Sequence, residues 1–109
     1  MSRSELEREF TSGDGSRIAD ALISSFYSET PEWVQKSCLR FVEHSDSHAR
    51  RAAAIVLGNV SHMNAREVDL IVSHAALQKL EADQEESVKL AAQDSMILVL
   101  HMVGLLKKQ

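Results

Sequence analysis

Proline, glycine, cysteine and aromatic residues are all scarce in this chain of 109 residues, which has one proline, four glycines, one cysteine and 5% aromatics. The few aromatics argue against a β-sandwich or a β-barrel, whose strands favour aromatic and β-branched residues. A single cysteine excludes an internal disulfide, which fits a reducing compartment. The abundant Ala, Leu, Glu, Lys and Arg instead favour helices, because these side chains lose little conformational freedom there.

Signals for export and for membrane insertion are also lacking. The chain begins with the polar segment Met1–Glu5, which does not resemble a signal peptide. The longest apolar stretch runs only from Met96 to Leu106, well short of the roughly 20 residues that cross a bilayer. The formal net charge of −4 disfavours direct nucleic-acid binding, which depends on neutralising phosphates. We therefore expect a cytoplasmic protein with no membrane role and no direct nucleic-acid partner.

Motifs for catalysis and for metal binding are not found in the sequence. The five histidines form no His-Glu-x-x-His pattern, and there is no Cys-x-x-Cys pair. Cys38 has neither a base nor an orienting group near it in sequence, and its place on a helical apolar face favours a small buried residue. We expect no enzymatic activity, no metal and no cofactor.

Capping residues and turns divide the chain into six predicted helices. Ser2 and Glu5 have the spacing of a capping box, Thr30-Pro31 is a helix start, and Asn64 with Glu67 is predicted to cap the fifth helix. The predicted helices cover about 2–12, 16–26, 31–42, 48–60, 64–80 and 87–103. The short turns between them predict antiparallel hairpins.

Two of the predicted helices begin with similar segments. Ala49-Arg50-Arg51-Ala52-Ala53 aligns with Val88-Lys89-Leu90-Ala91-Ala92, a period of 39 residues (88 minus 49). Asp46 and Glu85 lie three residues before the two segments. Repetition at such a period is typical of stacked helical repeats. Adjacent alanines let the helices approach closely, so we expect Ala52, Ala53, Ala91 and Ala92 to be buried at helix crossings.

The first segment resembles the second helix of a HEAT repeat, which has an acid in the turn, then an Arg-Arg and alanine run, then Leu-Gly. The residues that carry this resemblance are Asp46, Ala49, Arg50, Ala52, Ala53, Leu57 and Gly58. The second segment lacks the Leu-Gly ending, and the resemblance covers roughly residues 31–104. It implies an all-α fold of stacked antiparallel helical hairpins, a short HEAT-like α-solenoid of about six helices. Residues 1–109 would form one domain, with capping helices in 1–30 and repeat hairpins in 31–64 and 65–104.

Acidic residues concentrate before the sixth predicted helix, between residues 81 and 86. In stacked hairpins this turn would lie beside the 44–48 turn, so that both would form one acidic edge. A solvated loop is the alternative interpretation. The predicted partner-binding residues are Asp46, Glu81, Asp83, Glu85 and Glu86, with Arg50, Lys89 and Gln93 nearby at concave-face positions that the resemblance implies.

Solenoid repeats offer extended surfaces for gripping other proteins, so we expect a protein-binding module. Small acidic helical proteins look like bacterial immunity proteins, which neutralise a cognate toxin, often a basic nuclease, by masking it. We therefore predict an immunity protein with a basic toxin domain as its partner. The alternative is an adaptor or regulatory subunit of a larger complex.

The last predicted helix is apolar on nearly all sides, and such a helix must be covered on all sides. Two covers are possible. Either the first two helices fold back on it, which we favour, or a second copy of the chain covers it in a homodimer.

Overall fold

Six α-helices form the fold in a computed structural model that describes residues 1–108. They are α1 (Arg3–Phe10), α2 (Gly15–Ser28), α3 (Pro31–Leu39), α4 (Ser47–Met63), α5 (Leu70–Leu80) and α6 (Glu86–Lys107). No strand occurs within these 108 residues. The predicted all-α class is therefore confirmed.

Most helix starts follow from polar residues placed just before them. Ser2 and Glu5 form the predicted capping box at α1, and Pro31 occupies the first turn of α3. Asp14 and Asp46 cap α2 and α4 by accepting hydrogen bonds from backbone N–H groups of the first turn. These bonds satisfy donors that have no partner inside the helix.

The predicted cap of the fifth helix is wrong. Asn64 is the C-terminal cap of α4. α5 begins only at Leu70, and Asp69 is its N-terminal cap. Gln35 of α3 explains the shift, because its side chain donates to the Asp69 carbonyl at 2.8 Å and accepts from the Asp69 N–H at 3.1 Å. The start of α5 is thus fixed by a residue 34 positions earlier in the sequence.

Three further helix ends differ from the prediction, and one is that of α4, which ends at Met63 and not at about Val60. α3 ends at Leu39, so Phe41 and Val42 lie in the following turn, where Phe41 is still buried in the core. α6 continues to Lys107, past the predicted end at Val103.

Three helices form a central row, and each of the other three packs against at least one of them. α2, α4 and α6 lie side by side in that order, and α1, α3 and α5 each pack against the helix that follows them in the chain. The most extensive packing joins α4 and α6. The prediction that the first two helices cover α6 is wrong. The helices that pack extensively on α6 are α4 and α5.

Small residues line the contact between α4 and α6. The predicted burial of four alanines is confirmed, for Ala52, Ala53, Ala91 and Ala92. Other positions that are 39 residues apart are buried in both helices as well, including the pairs Ala49 and Val88, Leu57 and Met96, and Val60 and Val99.

Candidate functional site

The turns 44–48 and 81–87 lie side by side, and we call them together the acidic edge. Arg50, in the first turn of α4, joins them. Its guanidinium donates to the backbone carbonyls of His44 and Ser45 at 2.8 and 3.1 Å. It also donates to both carboxylate oxygens of Asp83 at 2.8 and 3.1 Å. One side chain therefore fixes the relative position of the two turns.

Asp83 is engaged inside the edge. The side chains of Arg50 and Asp83 are only 16% and 10% exposed. The Asp83 carboxylate also accepts the N–H of Glu85 at 3.0 Å. The hydrogen bond from Arg50 lowers the pKa of Asp83 and raises that of Arg50 itself. This pair holds the edge together and leaves little of either charge facing solvent.

Asp46 lies in the 44–48 turn, and its side chain is 39% exposed. Its carboxylate accepts the N–H of His48 at 2.8 Å, and the His48 ring nitrogen Nδ1 lies 3.1 Å away. The Asp46 N–H donates to Nδ1 of His44 at 3.0 Å. Hydrogen bonding from the His48 backbone and side chain lowers the pKa of Asp46. The carboxylate also abuts Gly15 at the start of α2, where any Cβ would collide with it.

The other acidic residues of the edge face outward. Glu85 and Glu86 are exposed and Glu81 is half-buried. Lys89 lies one turn further along α6, with its Nζ 3.8 Å from a Glu86 carboxylate oxygen. Gln93 is exposed on the next turn of the same helix. The edge therefore presents several carboxylates, with Lys89 beside Glu86.

A cleft of about 420 Å³ opens between the two turns. Residues from both sides line it, among them Glu43, His44, Lys79 and Ala82. Lys79 Nζ lies 3.6 Å from a Glu43 carboxylate oxygen, and both side chains are largely exposed. The edge thus has a concave element that could receive a side chain from another protein.

A second surface was not predicted from the sequence. A groove of about 410 Å³ runs between α4 and α6, and we call it the α4–α6 groove. Three residues of α4 line one wall and their counterparts 39 residues later line the other, namely Arg51, Ile55 and Asn59 with Leu90, Asp94 and Leu98. The spacing of four residues on each helix is visible in the sequence, but it does not show that these two helix faces meet.

Cys38 is fully buried, as the sequence predicts. Burial raises the pKa of its thiol well above the ordinary value. The thiolate needed for nucleophilic chemistry is therefore disfavoured at this position.

α6 is long and apolar enough to cross a membrane by length and composition alone, with a mean hydropathy of 1.4 over an 18-residue window. Core helices of soluble proteins, which are mostly buried, meet the same criteria, whereas 28% of this window is buried inside the fold. The observation is weak evidence for a membrane span.

Comparisons with protein-family models, with curated proteins and with solved structures gave no match. Inferences about function therefore rest on the site itself.

Proposed function

We propose that this chain is a non-enzymatic protein-binding module that docks a basic partner protein on its acidic edge. The observation that carries the proposal is the Arg50 bridge, which holds two turns from distant parts of the sequence side by side. Glu81, Glu85 and Glu86 are presented from this fixed frame, with the Asp46 carboxylate on the adjacent turn. Charges held on a rigid surface bind a partner at a smaller entropic cost than charges on a mobile loop.

In the proposed interface the residues have different roles. Glu85 and Glu86, which are exposed, would attract basic side chains of the partner and speed association. Asp83 and Arg50 would position the turns without touching the partner. Lys89 would be at the rim, and Gln93 would be beyond it.

We further propose a HEAT-like arrangement for the helices. Its support is the agreement in burial between positions of α4 and α6 that are 39 residues apart, together with the side-by-side packing of α2, α4 and α6. A stack of this kind brings the starts of alternate helices to one edge, where the acidic turns lie.

The specific role that we propose is an immunity protein that neutralises a basic toxin domain, such as a nuclease, in the cytoplasm. The excess of acidic groups suits this role, since the chain has 16 acidic and 12 basic residues. Opposite charge on the two proteins accelerates their encounter. Rapid capture is what protection against a toxin requires.

An adaptor subunit of a larger complex is the second candidate. The exposed apolar residues along α6 favour it, because large apolar surfaces are typical of permanent assemblies. Ile97 is the clearest of them, at 68% exposed.

Charge reversal at the edge tests the proposal. The variant E81K/E85K/E86K keeps Asp83, so the Arg50 bridge and the helicity should remain intact. A matched control, D20K/E32K/E67K, makes the same change in net charge at exposed positions on α2, α3 and the turn before α5. Each protein is immobilised and exposed to an extract of the native host, and retained proteins are compared by mass spectrometry at several salt concentrations.

We expect one basic protein to be retained by the wild type and by the control, to be lost with the reversed variant, and to elute as salt rises. Purified, that protein should be neutralised by the wild type if it is a toxin. Recovery of a large assembly that is insensitive to salt would favour the adaptor. Equal retention by the reversed variant at low salt would remove the acidic edge from the interface.

A further inference from the structure

The α4–α6 groove adjoins the acidic edge at Ser87 and has a composition of its own. Its walls combine the apolar side chains of Ile55 and Leu90 with one cation, Arg51, and one anion, Asp94. Arg51 lies on one wall and Asp94 on the other. The groove therefore carries both signs of charge within an apolar surface.

Apolar exposure is concentrated on α6. Leu90 and Ile97 are exposed beside the groove, and Leu100 and Leu105 continue the exposure toward the end of the helix. Within the fold only α4 and α5 pack extensively on α6. Contiguous exposed apolar residues of this kind mark interaction surfaces.

The two charges of the groove are unused inside the chain. Arg51 and Asp94 are exposed, and neither forms an ion pair within residues 1–108. A partner surface of one sign would match one of them and repel the other. A surface that matches both must offer an acid opposite Arg51 and a base opposite Asp94.

A second copy of this chain offers that arrangement. In a two-fold dimer every contact occurs twice, with the roles of the two copies exchanged. A two-fold axis that lies in the interface and bisects the line between Arg51 and Asp94 brings Arg51 of each copy opposite Asp94 of the partner subunit. The same operation stacks the apolar groove walls of the two copies on each other.

We propose that two copies of the chain associate through the α4–α6 groove. Reciprocal ion pairs join Arg51 to Asp94 of the partner subunit, and Leu90 and Ile97 are buried between the copies. The acidic edge remains free in this dimer, so that each copy can still receive its own basic partner.

Charge swaps tested in trans address the symmetry directly. In R51E the two reciprocal contacts become acid against acid, and in D94R they become base against base. Each variant alone should be monomeric or show a dimer dissociation constant raised at least about tenfold. An equimolar mixture should form a heterodimer, because Glu at position 51 of one chain then faces Arg at position 94 of the other, and the native pair forms at the second contact.

The measurement is sedimentation velocity or light scattering of the full chain from micromolar to submillimolar concentration. K36E and E32R, which make the same types of change on α3, should dimerise like the wild type. I97E should be monomeric, whereas I71E should not, because Ile71 is 81% exposed on a different helix, α5. Circular dichroism confirms that every variant is folded.

Several outcomes would overturn the proposal. They are a wild type that stays monomeric throughout this range, a dimer that R51E and D94R leave intact, and a mixture of the two variants that remains monomeric. Binding of the monomer to anionic phospholipid vesicles with no self-association would also overturn it, since α6 would then face lipid. Dimerisation by E81K/E85K/E86K is expected, because the acidic edge plays no part in the contact.

Discussion

Gly58 of α4 faces Ser95 of α6 at so short a distance that a Cβ on the glycine would lie 2.9 Å from the Ser95 Cα and nearer still to its side chain. The two helices therefore meet backbone to backbone at this point. This crossing belongs to the most extensive helix pair of the fold, so the absence of a side chain at residue 58 sets how closely the two helices pack.

Replacing Gly58 with alanine should destabilise the protein although alanine is the better helix former. The added methyl meets backbone and must push α6 away, at a cost of about 1–3 kcal/mol for overpacking. G104A is the matched control, because nothing lies within 4 Å of a Cβ at Gly104 in α6. The free energy of unfolding of that variant should be unchanged or higher by roughly 0.5–1 kcal/mol. Urea unfolding followed by circular dichroism gives both values, and equal effects from the two variants would contradict the close crossing.

Enlarging Ala53 to leucine should also weaken the fold. Ala53 is fully buried within α4, and three extra carbons in a packed core cost about 1–3 kcal/mol. A75L adds the same atoms to an exposed position on α5 and should leave the free energy of unfolding nearly unchanged. A tolerated leucine at residue 53 would mean that the helices are less closely packed than described.

Gln35 supports a buried polar network that joins three helices. Its Nε2 donates to Ser73 Oγ at 2.9 Å, and Ser73 accepts a second bond at 2.8 Å from Ser61 of α4. In Q35M the buried Asp69 N–H loses its partner, while the Asp69 carbonyl keeps the Ser73 N–H and the Ser73 hydroxyl keeps Ser61. We therefore expect a loss of about 1–3 kcal/mol. Amide hydrogen exchange should increase first at the start of α5. Q78M, at an exposed position on α5, should change neither quantity.

The Arg50 bridge predicts a pH dependence of stability. Because the pKa of Asp83 is lower in the folded protein, the charged pair stabilises the fold above the ordinary pKa of aspartate. That contribution is lost as the pH falls through the folded value. D83N should therefore cost about 1–3 kcal/mol at neutral pH. The difference from wild type should shrink as the pH falls below about 4, the ordinary pKa of aspartate. Denaturant unfolding across this range measures it.

A comparable pair on the surface gives the control. Arg40 contacts both carboxylate oxygens of Glu7 at 2.8 and 3.0 Å, but both side chains are exposed. E7Q should cost less than about 1 kcal/mol, since solvent screens such pairs. If D83N and E7Q had the same small effect at neutral pH, the Arg50 bridge would not hold the two turns in place.

Local patterns predicted those helix boundaries that depend on local bonds. The Ser2 capping box and the Pro31 start follow from residues within three or four positions of each other. The start of α5 could not be predicted in this way, because Asn64 and Glu67 have a plausible capping pattern while Gln35 holds Asp69 from another helix. Where a local signal competes with a buried tertiary bond, the buried bond prevails because an unsatisfied buried group is costly.

The candidate site shows the same division. The sequence indicated that the two acidic turns would be neighbours. It did not indicate that the Asp83 side chain is largely buried while Glu85, two residues later, is exposed. The groove between α4 and α6 could be recognised only after the partner helix of each exposed position was known.

Composition, capping and periodicity act over a few residues, so they were enough to predict a helical chain, most of its helix starts and the burial of its paired alanines. The tertiary structure decided which charges are engaged and which are free. Arg50 and Arg51 are adjacent in the sequence. Arg50 pairs with Asp83 in a largely buried contact, whereas Arg51 lines an open groove. Successive residues on a helix point about 100° apart. Only the position of the neighbouring helices gives those directions different surroundings.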